Sequence, residues 1–408
     1  MSWPEAAFGD LYREPSRNGL YKASSFHGDG AKIVNMGELF AYERVGTQEM
    51  ARIRVDDGEL SRFGLIDGDL LFARRSLVES GAGRCVIVLG VEEPTVFESS
   101  LIRVRLDPAR SDPRFYRYYL CTYPGRGRIQ TIITGVSQKG IRGSELEQIR
   151  VHRPPISVQT RIAEVLAAYD DLIENNRRRM ALLEEAARLL YREWFVLLRF
   201  PGHEHSRIIK GVPEGWDRKP LADLCESVDY GYTASASDQD VGPRFLRITD
   251  IVPASINWPT VPYCEIPDDR LERFRLQTGD IVIARTGATV GYAKRLHKMH
   301  PCAVFASYLV RLRFRHDFSN LLAGVFIESD DYKAYVQSRV GGAAQPNANA
   351  RVLAAAEILI PSRTIQHAFD DIVGVLIDQR ELLDLQNQKL RAARDLLLPR
   401  LMSGEIAV

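Results

Sequence analysis

The chain repeats itself, and this repeat constrains its fold more than any other feature. Residues 63–74 and 274–285 share the pattern F-x-L-x-x-G-D, followed by three apolar residues and then Ala-Arg. Residues 96–105 and 304–313 match as well, in the same order along the chain. Chance could produce one such match, but several in the same order indicate a tandem duplication. We therefore expect two copies of one architecture.

Each copy follows the same internal order. Short apolar runs such as residues 85–89 and 280–284 predict strands, since Gly, Pro and Asp interrupt them. After Pro154 and after Pro361 the pattern becomes that of a long helix. We predict an α+β fold, in which two tandem α/β domains are separated by two long helices packed as an antiparallel coiled coil with a pseudo-twofold internal repeat. The predicted segments are a first domain at 1–155, a first long helix at 156–200, a second domain at 201–361, and a second long helix with the C-terminal tail at 362–408.

The two helical segments each carry a heptad seam, because mostly apolar residues recur at alternating spacings of four and three. About 40 residues at ~1.5 Å each make a rod of roughly 60 Å. Such a rod cannot bury its stripe against a small globule alone, so we expect the two helices to pack on each other. An antiparallel register then places Asn176 opposite Asn387, which would fix the register of the pair. The equally weighted alternative is that both amides face solvent where the seam frays.

Besides Asn387, two arginines interrupt the second seam. Arg380 and Arg394 fall at core positions, opposite apolar or aromatic residues in the same antiparallel register. Long arginine stems can cover apolar surface while the guanidinium reaches water. We therefore expect both side chains to extend out of the helix pair to solvent.

Composition narrows the class of protein. The five cysteines are scattered without a C-x-x-C pair, which argues against disulfides and structural zinc and favours the cytoplasm. No apolar run approaches the ~18 residues that span a bilayer, and the N-terminus lacks a secretory pattern, so we expect no membrane association. The net charge of +1 weighs against a chain that binds DNA tightly by itself. It is compatible with a reader that shares DNA with basic partners.

Candidate catalytic and metal-binding residues have simpler explanations. Asp69 and Asp280 could suggest nuclease carboxylates, but each follows a glycine before an apolar run, where Gly-Asp commonly forms a turn. His203 and His205 have a ligand spacing without a third ligand nearby in sequence. Phosphate-binding and methyl-donor glycine loops are absent. We therefore predict no catalytic residue, no metal site and no cofactor in this chain.

Motifs spread over nearly the whole chain resemble the specificity subunits of type I restriction–modification systems. The first half is similar at residues 134–141 and along the first predicted helix, and the second half at residues 213–216, 245–251 and 396–406. The first copy departs from the pattern, with Arg-Arg-Ser at 74–76 where the second copy has Arg-Thr-Gly.

The resemblance implies a function. In that family each globular domain reads one half of a bipartite site in double-stranded DNA, and the helices set the unspecified gap. The helices also dock two methyltransferase subunits, and motor–nuclease subunits join this core. By the same resemblance, S-adenosylmethionine, ATP and Mg²⁺ belong to those partner subunits.

Candidate DNA-binding residues lie at equivalent places in the two copies. Arg74 and Arg285 each end an apolar strand, and Arg, Lys, Asn and Gln are the side chains that recognise base edges in the major groove. The candidates are Arg74, Arg75, Gln138, Lys139, Arg142, Arg247, Arg285, Thr286, Gly287, Lys294, Gln345, Asn347 and Asn349. Surface ion pairs, ordinary turns and helix-capping loops are the competing interpretations of these positions.

Two other functions remain open. The globular domains could bind protein instead of DNA, which would make the chain a structural adaptor. A DNA nuclease or methyltransferase with its own active site is the weaker alternative, because the sequence shows no catalytic motif.

Overall fold

The computed structural model describes residues 3–136, 138–253, 255–340 and 346–408, which divide into two compact units. The first unit comprises Met1–Glu174 together with Gln388–Val408, and the second comprises Asn175–Asn387. The division falls within both long helices, so each helix contributes to both units. The four-segment division therefore stays a prediction beside these two units.

The first unit is built on a five-stranded sheet and a three-stranded sheet. Its strands are β1 (Glu5–Ala7), β2 (Tyr12–Asn18), β3 (His27–Val34), β4 (Arg44–Val45), β5 (Arg52–Ile53), β6 (Leu70–Ala73), β7 (Arg75–Ser76), β8 (Cys85–Val88), β9 (Thr95–Phe97), β10 (Leu101–Leu106), β11 (Lys139–Gly140) and β12 (Arg150–His152). Its short helices are α1 (Met36–Ala41), α2 (Asp57–Phe63), α3 (Pro113–Cys121), α4 (Gly125–Gln130) and α5 (Gly143–Gln148). The strand orders are β2-β10-β6-β8-β4 and β5-β3-β9, with β3 parallel to β9.

The long helices are α6 (Ile156–Tyr191), which continues into a π-helical turn at Arg192–Val196, and α12 (Arg363–Met402). Residues 156–174 of α6 and 388–402 of α12 belong to the first unit, and the remaining residues of both helices to the second.

The second unit repeats the arrangement of the first. Its strands are β13 (Ile208–Ile209), β14 (Val212–Pro213), β15 (Asp217–Pro220), β16 (Cys225–Tyr230), β17 (Arg244–Leu246), β18 (Ile281–Ala284), β19 (Ala293–Arg295), β20 (Ala303–Phe305), β21 (Leu309–Phe314) and β22 (Glu357–Ile360). Its short helices are α7 (Ile248–Ile251), α8 (Asp268–Phe274), α9 (Asn320–Ile327), α10 (Asp330–Gln337) and α11 (Ala350–Ala354). The order β16-β21-β18-β19 matches β2-β10-β6-β8, and β17 is parallel to β20 as β3 is to β9. The predicted α+β fold with an internal repeat is thus confirmed.

A buried ion pair recurs in the two sheets. Asp69 and Asp280 are 0% and 2% exposed. Asp69 binds Arg105 through two hydrogen bonds of 2.7 Å, and Asp280 binds Arg313 through two of 2.8 Å. Each carboxylate also accepts a hydrogen bond from the backbone N–H three residues before it, which closes the turn that precedes the strand. Both carboxylates therefore hold the fold together and are enclosed by protein on all sides.

In the second unit, α6 and α12 run antiparallel. The Asn176 amide donates a hydrogen bond of 3.0 Å to the side-chain oxygen of Asn387, and both residues are buried. From this pair, the first helix segment continues towards its C-terminus to Trp194, and α12 is followed towards its N-terminus to Phe369. These two rings lie 6.0 Å apart. The solvent-facing alternative for the two amides does not describe this structure, while their role in setting the register stays a prediction.

A glutamine fixes the start of each long helix on its own domain. In the first unit, Gln159 donates to the Pro154 carbonyl at 2.8 Å and accepts from the Asp112 N–H at 3.0 Å. Gln366 repeats both contacts in the second unit. Further along, Ile162 and Leu166 pack in one core with Leu398 and Leu401 from the end of α12.

The expectation that Arg380 and Arg394 extend to solvent is wrong. They are buried, with 7% and 8% exposure, and each binds a carboxylate of α6. Arg394 lies 2.5 Å from Asp170 in the first unit, and Arg380 lies 2.8 Å from Glu184 in the second. Because these acids lie one residue beyond the positions that face the arginines, a seam drawn from apolar spacing alone does not reveal them.

None of the described helices is long and apolar enough to cross a membrane.

Candidate nucleic-acid interface

The first unit gathers basic residues where strand β6 ends. Strand β7 pairs with β11, which places Arg75 opposite Gly140. The N–H of Ile141 donates to the carbonyl of Arg74 at 3.0 Å. These bonds bring Arg74, Arg75 and Lys139 together from segments that are far apart in the sequence.

An exposed hairpin projects beside these residues. Thr134 and Gly140 form an antiparallel bridge with two backbone hydrogen bonds of 2.9 Å. Between them, the Val136 side chain is 99% exposed and Gln138 is also exposed. Both side chains are therefore accessible to another molecule.

A polar depression lies next to the hairpin base. It is lined by Ser16, Asn18, Arg74, Arg142 and other residues of the same surface. Ser16 donates to a Glu147 carboxylate oxygen at 2.8 Å, so that acid is already engaged. The depression therefore offers two guanidinium groups, neutral polar groups and the Glu147 carboxylate.

The second unit builds the corresponding place in the same way. The N–H of Ala348 donates to the carbonyl of Arg285 at 2.8 Å, as that of Ile141 does to Arg74. Thr286 forms an antiparallel bridge with Asn347, and the Gly287 N–H donates to the Pro346 carbonyl at 3.0 Å. Four predicted residues, Arg285, Thr286, Gly287 and Asn347, are thus neighbours.

The Arg285 side chain is held by an aromatic ring. Its guanidinium carbon lies 4.9 Å from the ring centroid of Tyr230, whose hydroxyl accepts a hydrogen bond from the Ala350 N–H. The buried Nε of Arg285 has no hydrogen-bond partner among the described residues. Because Arg285 as a whole is only half-buried, its oriented side chain can still meet an acceptor from outside, although the buried Nε cannot.

Gly287 requires its glycine. Its φ is +81°, which L side chains rarely adopt, and nothing lies within 4 Å of the position where a Cβ would stand. The backbone is therefore open to close approach by a ligand.

Three other predicted residues lie in different surroundings. Arg247 binds Asp250 through two hydrogen bonds of 3.0 Å, which raise the pKa of its guanidinium. Lys294 lines a groove beside the long helices, together with Glu184. Asn349 is exposed, but its side chain caps α11, as the helix-capping interpretation anticipates. Gln345 lies outside the described residues.

Sequence reasoning missed Tyr230, Ser16 and Asn18. Each comes from a strand that precedes its arginine by more than fifty residues, and none belongs to a repeated motif. Only the pairing of β2 and β16 with their neighbouring strands brings them to the site.

Reactive groups for chemistry are not gathered here. Burial raises the pKa of the Cys225 thiol to about 12 and that of Cys264 to about 11, so both are protonated at neutral pH. Across the part of the chain that the structure describes, no three His, Cys, Asp or Glu side chains are grouped to hold a metal ion.

Comparisons with known proteins agree with one another. A family model described as "Type I restriction modification DNA specificity domain" matches residues 64–185. The HindI specificity subunit of Haemophilus influenzae is 21% identical over 99% of both chains. The MjaIX specificity subunit of Methanocaldococcus jannaschii is 25% identical over 72% of this chain and 69% of its own.

Among solved structures, the crystal structure of a type I restriction–modification S subunit from M. genitalium matches with a TM-score of 0.56 at 14% identity. The match covers 98% of this chain and 96% of that one. That likeness supports the fold, while the sequence matches support the family. Together with the duplicated domains and helices, the sequence matches support the assignment of this chain as a specificity subunit of a type I restriction–modification system.

Proposed function

We propose that each unit reads one half of a bipartite target in double-stranded DNA and that the chain carries no catalytic site of its own. The observation that carries this proposal is the repeated backbone arrangement around Arg74 and Arg285. Two sites of the same construction within one chain fit two half-sites within one target. Their different side chains fit two different half-site sequences.

The chemistry of the two sites suggests how bases are read. Arginine pairs with two acceptors of guanine, asparagine and glutamine pair with adenine, and apolar groups contact the thymine methyl. The first unit offers Arg74, Gln138 and the exposed Val136, while the second offers Arg285 and Asn347. The open backbone at Gly287 suits a phosphate contact, which would position the domain without reading sequence.

The helices are proposed to set the gap between the half-sites. Two half-sites on one face of DNA lie about 34 Å apart, or a multiple of that distance. Helices α6 and α12 have 36 and 40 residues. At ~1.5 Å per residue, the length of each helix exceeds one turn of DNA. Each helix is therefore long enough to span the distance between two half-sites.

The helices also carry exposed apolar residues at equivalent positions of the repeat. Val165 and Leu396 are 39% and 74% exposed in the first unit, and Ile372 and Leu189 are 46% and 48% exposed in the second. Val165 corresponds to Ile372, and Leu189 to Leu396. Two copies of the same apolar surface can each bind one copy of the same partner. We therefore propose that these surfaces dock two methyltransferase subunits and that motor–nuclease subunits join the resulting complex.

The cofactors follow from those partners. We expect S-adenosylmethionine, ATP and Mg²⁺ to be bound by the partner subunits, in the cytoplasm.

The test is to assemble the chain with a methyltransferase subunit and map methylated adenines by single-molecule sequencing. We expect a motif of two short blocks around a fixed gap. Arg74→Met should relax one block and Arg285→Met the other, since a bidentate base contact discriminates by about 1–3 kcal/mol. Arg199→Met, at an exposed ion pair with Glu193, is the matched control and should keep the motif.

Two outcomes would contradict the proposal. If an assembled, cofactor-bound complex methylates at no motif, the adaptor function becomes the better explanation. If both arginine variants relax the same block, the two units do not read separate half-sites.

A further inference from the structure

Two arginines of α12 join the helix pair to the recognition domains. Arg380 and Arg394 each lie seven residues from Asn387, one on either side. Seven residues are two helical turns, so all three occupy one face of the helix. One arginine belongs to each unit, and each contacts both α6 and the domain of its own unit.

In the first unit, Arg394 is the centre of a buried network. Its Nη1 donates to Asp170 of α6 at 2.5 Å and to Glu43 of the domain at 2.6 Å. Asp170 also accepts the hydroxyl hydrogen of Tyr118, and Glu43 lies 3.4 Å from Arg117. Since Tyr118 and Arg117 are on α3, both long helices are tied to the domain through this network.

In the second unit, Arg380 makes the corresponding connection with different partners. Its Nε donates to Glu184 of α6 at 2.8 Å, and its Nη2 donates to the Ser255 hydroxyl of the domain at 3.1 Å. His297 of the domain lies 3.4 Å from Nη1, and its other ring nitrogen lies 2.5 Å from Glu381 of α12. In the second unit, a different set of domain residues therefore makes the same connection between α12, α6 and the domain.

Burying charged groups at this position costs desolvation free energy, which burying apolar residues would not. The charges should therefore provide a property that apolar residues lack. A buried ion pair is often no more stable than well-packed hydrophobic residues, but it demands one geometry. An apolar seam would allow the domain to rotate or slide slightly against the helices. A guanidinium of α12 with partners on α6 and on the domain does not tolerate such movement.

We infer that Arg380 and Arg394 are positioning residues that set the gap between the two half-sites, by fixing the orientation of each domain on the helix pair. This inference rests on the proposed reading of a bipartite target. Lengthening the gap by one base pair moves a half-site by roughly 3.4 Å and rotates it by roughly 35° about the DNA axis. A domain held rigidly cannot follow that change, whereas a loosened domain can.

The experiment measures methylation by the assembled complex on duplexes whose gap is one base pair shorter, unchanged or one base pair longer. For the wild type we expect a preference of about a hundredfold for one gap, because a misplacement of 1 Å can already cost that much. Arg394→Met and Arg380→Met should reduce the preference to about tenfold or less while the bases of both blocks stay the same. Arg400→Met, at an exposed ion pair with Glu405 at the end of the same helix, should leave the preference unchanged.

Milder variants keep the test valid if the methionine variants do not fold. Arg394→Lys retains the charge but cannot reach both carboxylates in the same geometry, and Ser255→Ala removes one hydrogen bond and no charge. Both should fold, as checked by thermal melting, and both should weaken the gap preference in the same direction by a smaller factor.

The inference is overturned if the folded variants keep the wild-type gap preference, or if they lose methylation equally at every gap. A wild-type complex that methylates no bipartite target overturns the proposed function, and this inference with it. A normal wild type beside variants with unchanged gap preference overturns the inference alone.

Discussion

At the scale of residues, the carboxylates of Asp69 and Asp280 act in stability and not in chemistry. Each is enclosed by protein and bound by an arginine through two hydrogen bonds. We expect Asp69→Asn and Asp280→Asn each to lower the free energy of unfolding by about 3–5 kcal/mol, because each substitution breaks an ion pair whose carboxylate is buried. Chemical denaturation of the purified variants measures this loss.

The matched control is Asp378→Asn. Asp378 and Lys298 form an ion pair in which both side chains are more than half exposed, so its loss should cost at most about 1 kcal/mol. Equal losses for the buried and the exposed aspartates would contradict this account of the two pairs.

At the scale of elements, the buried amide pair of the long helices has a measurable signature. Asn387→Leu should destabilise the protein by about 1–3 kcal/mol, because it leaves the buried Asn176 amide without its hydrogen bond. Changing both residues to leucine should recover most of that loss, since two apolar side chains can pack together. A double-mutant cycle of unfolding free energies tests this, and a double variant that is worse than the sum of both single variants would refute it.

The apolar seam of these helices also shows which of their contacts the sequence could predict and which it could not. Heptad spacing was enough to predict that the helices pair. The internal repeat added the antiparallel register that places Asn176 opposite Asn387, although amides facing solvent remained an alternative from sequence alone. It could not predict the partners of Arg394. Glu43 is 351 residues away in sequence, and only the folded domain brings it to the helix.

At the scale of the whole molecule, duplication was the strongest sequence signal, because it is visible in aligned motifs and needs no three-dimensional information. It correctly located the strand ends where Arg74 and Arg285 lie. It could not show that Lys294 lies beside the long helices or that Arg247 is bound by Asp250. Those placements depend on the side of the strand or turn from which each side chain projects.

The near-neutral charge of the whole chain limits how tightly it can bind DNA by itself. With 54 basic and 53 acidic residues, the chain alone has little excess charge for attracting phosphates. We expect it to bind a target duplex no tighter than about micromolar at physiological salt, the range of non-specific binding. With methyltransferase subunits the affinity should reach about 10⁻⁸ M or better, and the salt dependence should become steeper as more phosphates are contacted. Fluorescence anisotropy at several salt concentrations, with a scrambled duplex as control, measures both quantities. Nanomolar, steeply salt-dependent binding by the chain alone would mean that the two proposed DNA-binding sites carry enough local charge to hold DNA without partners.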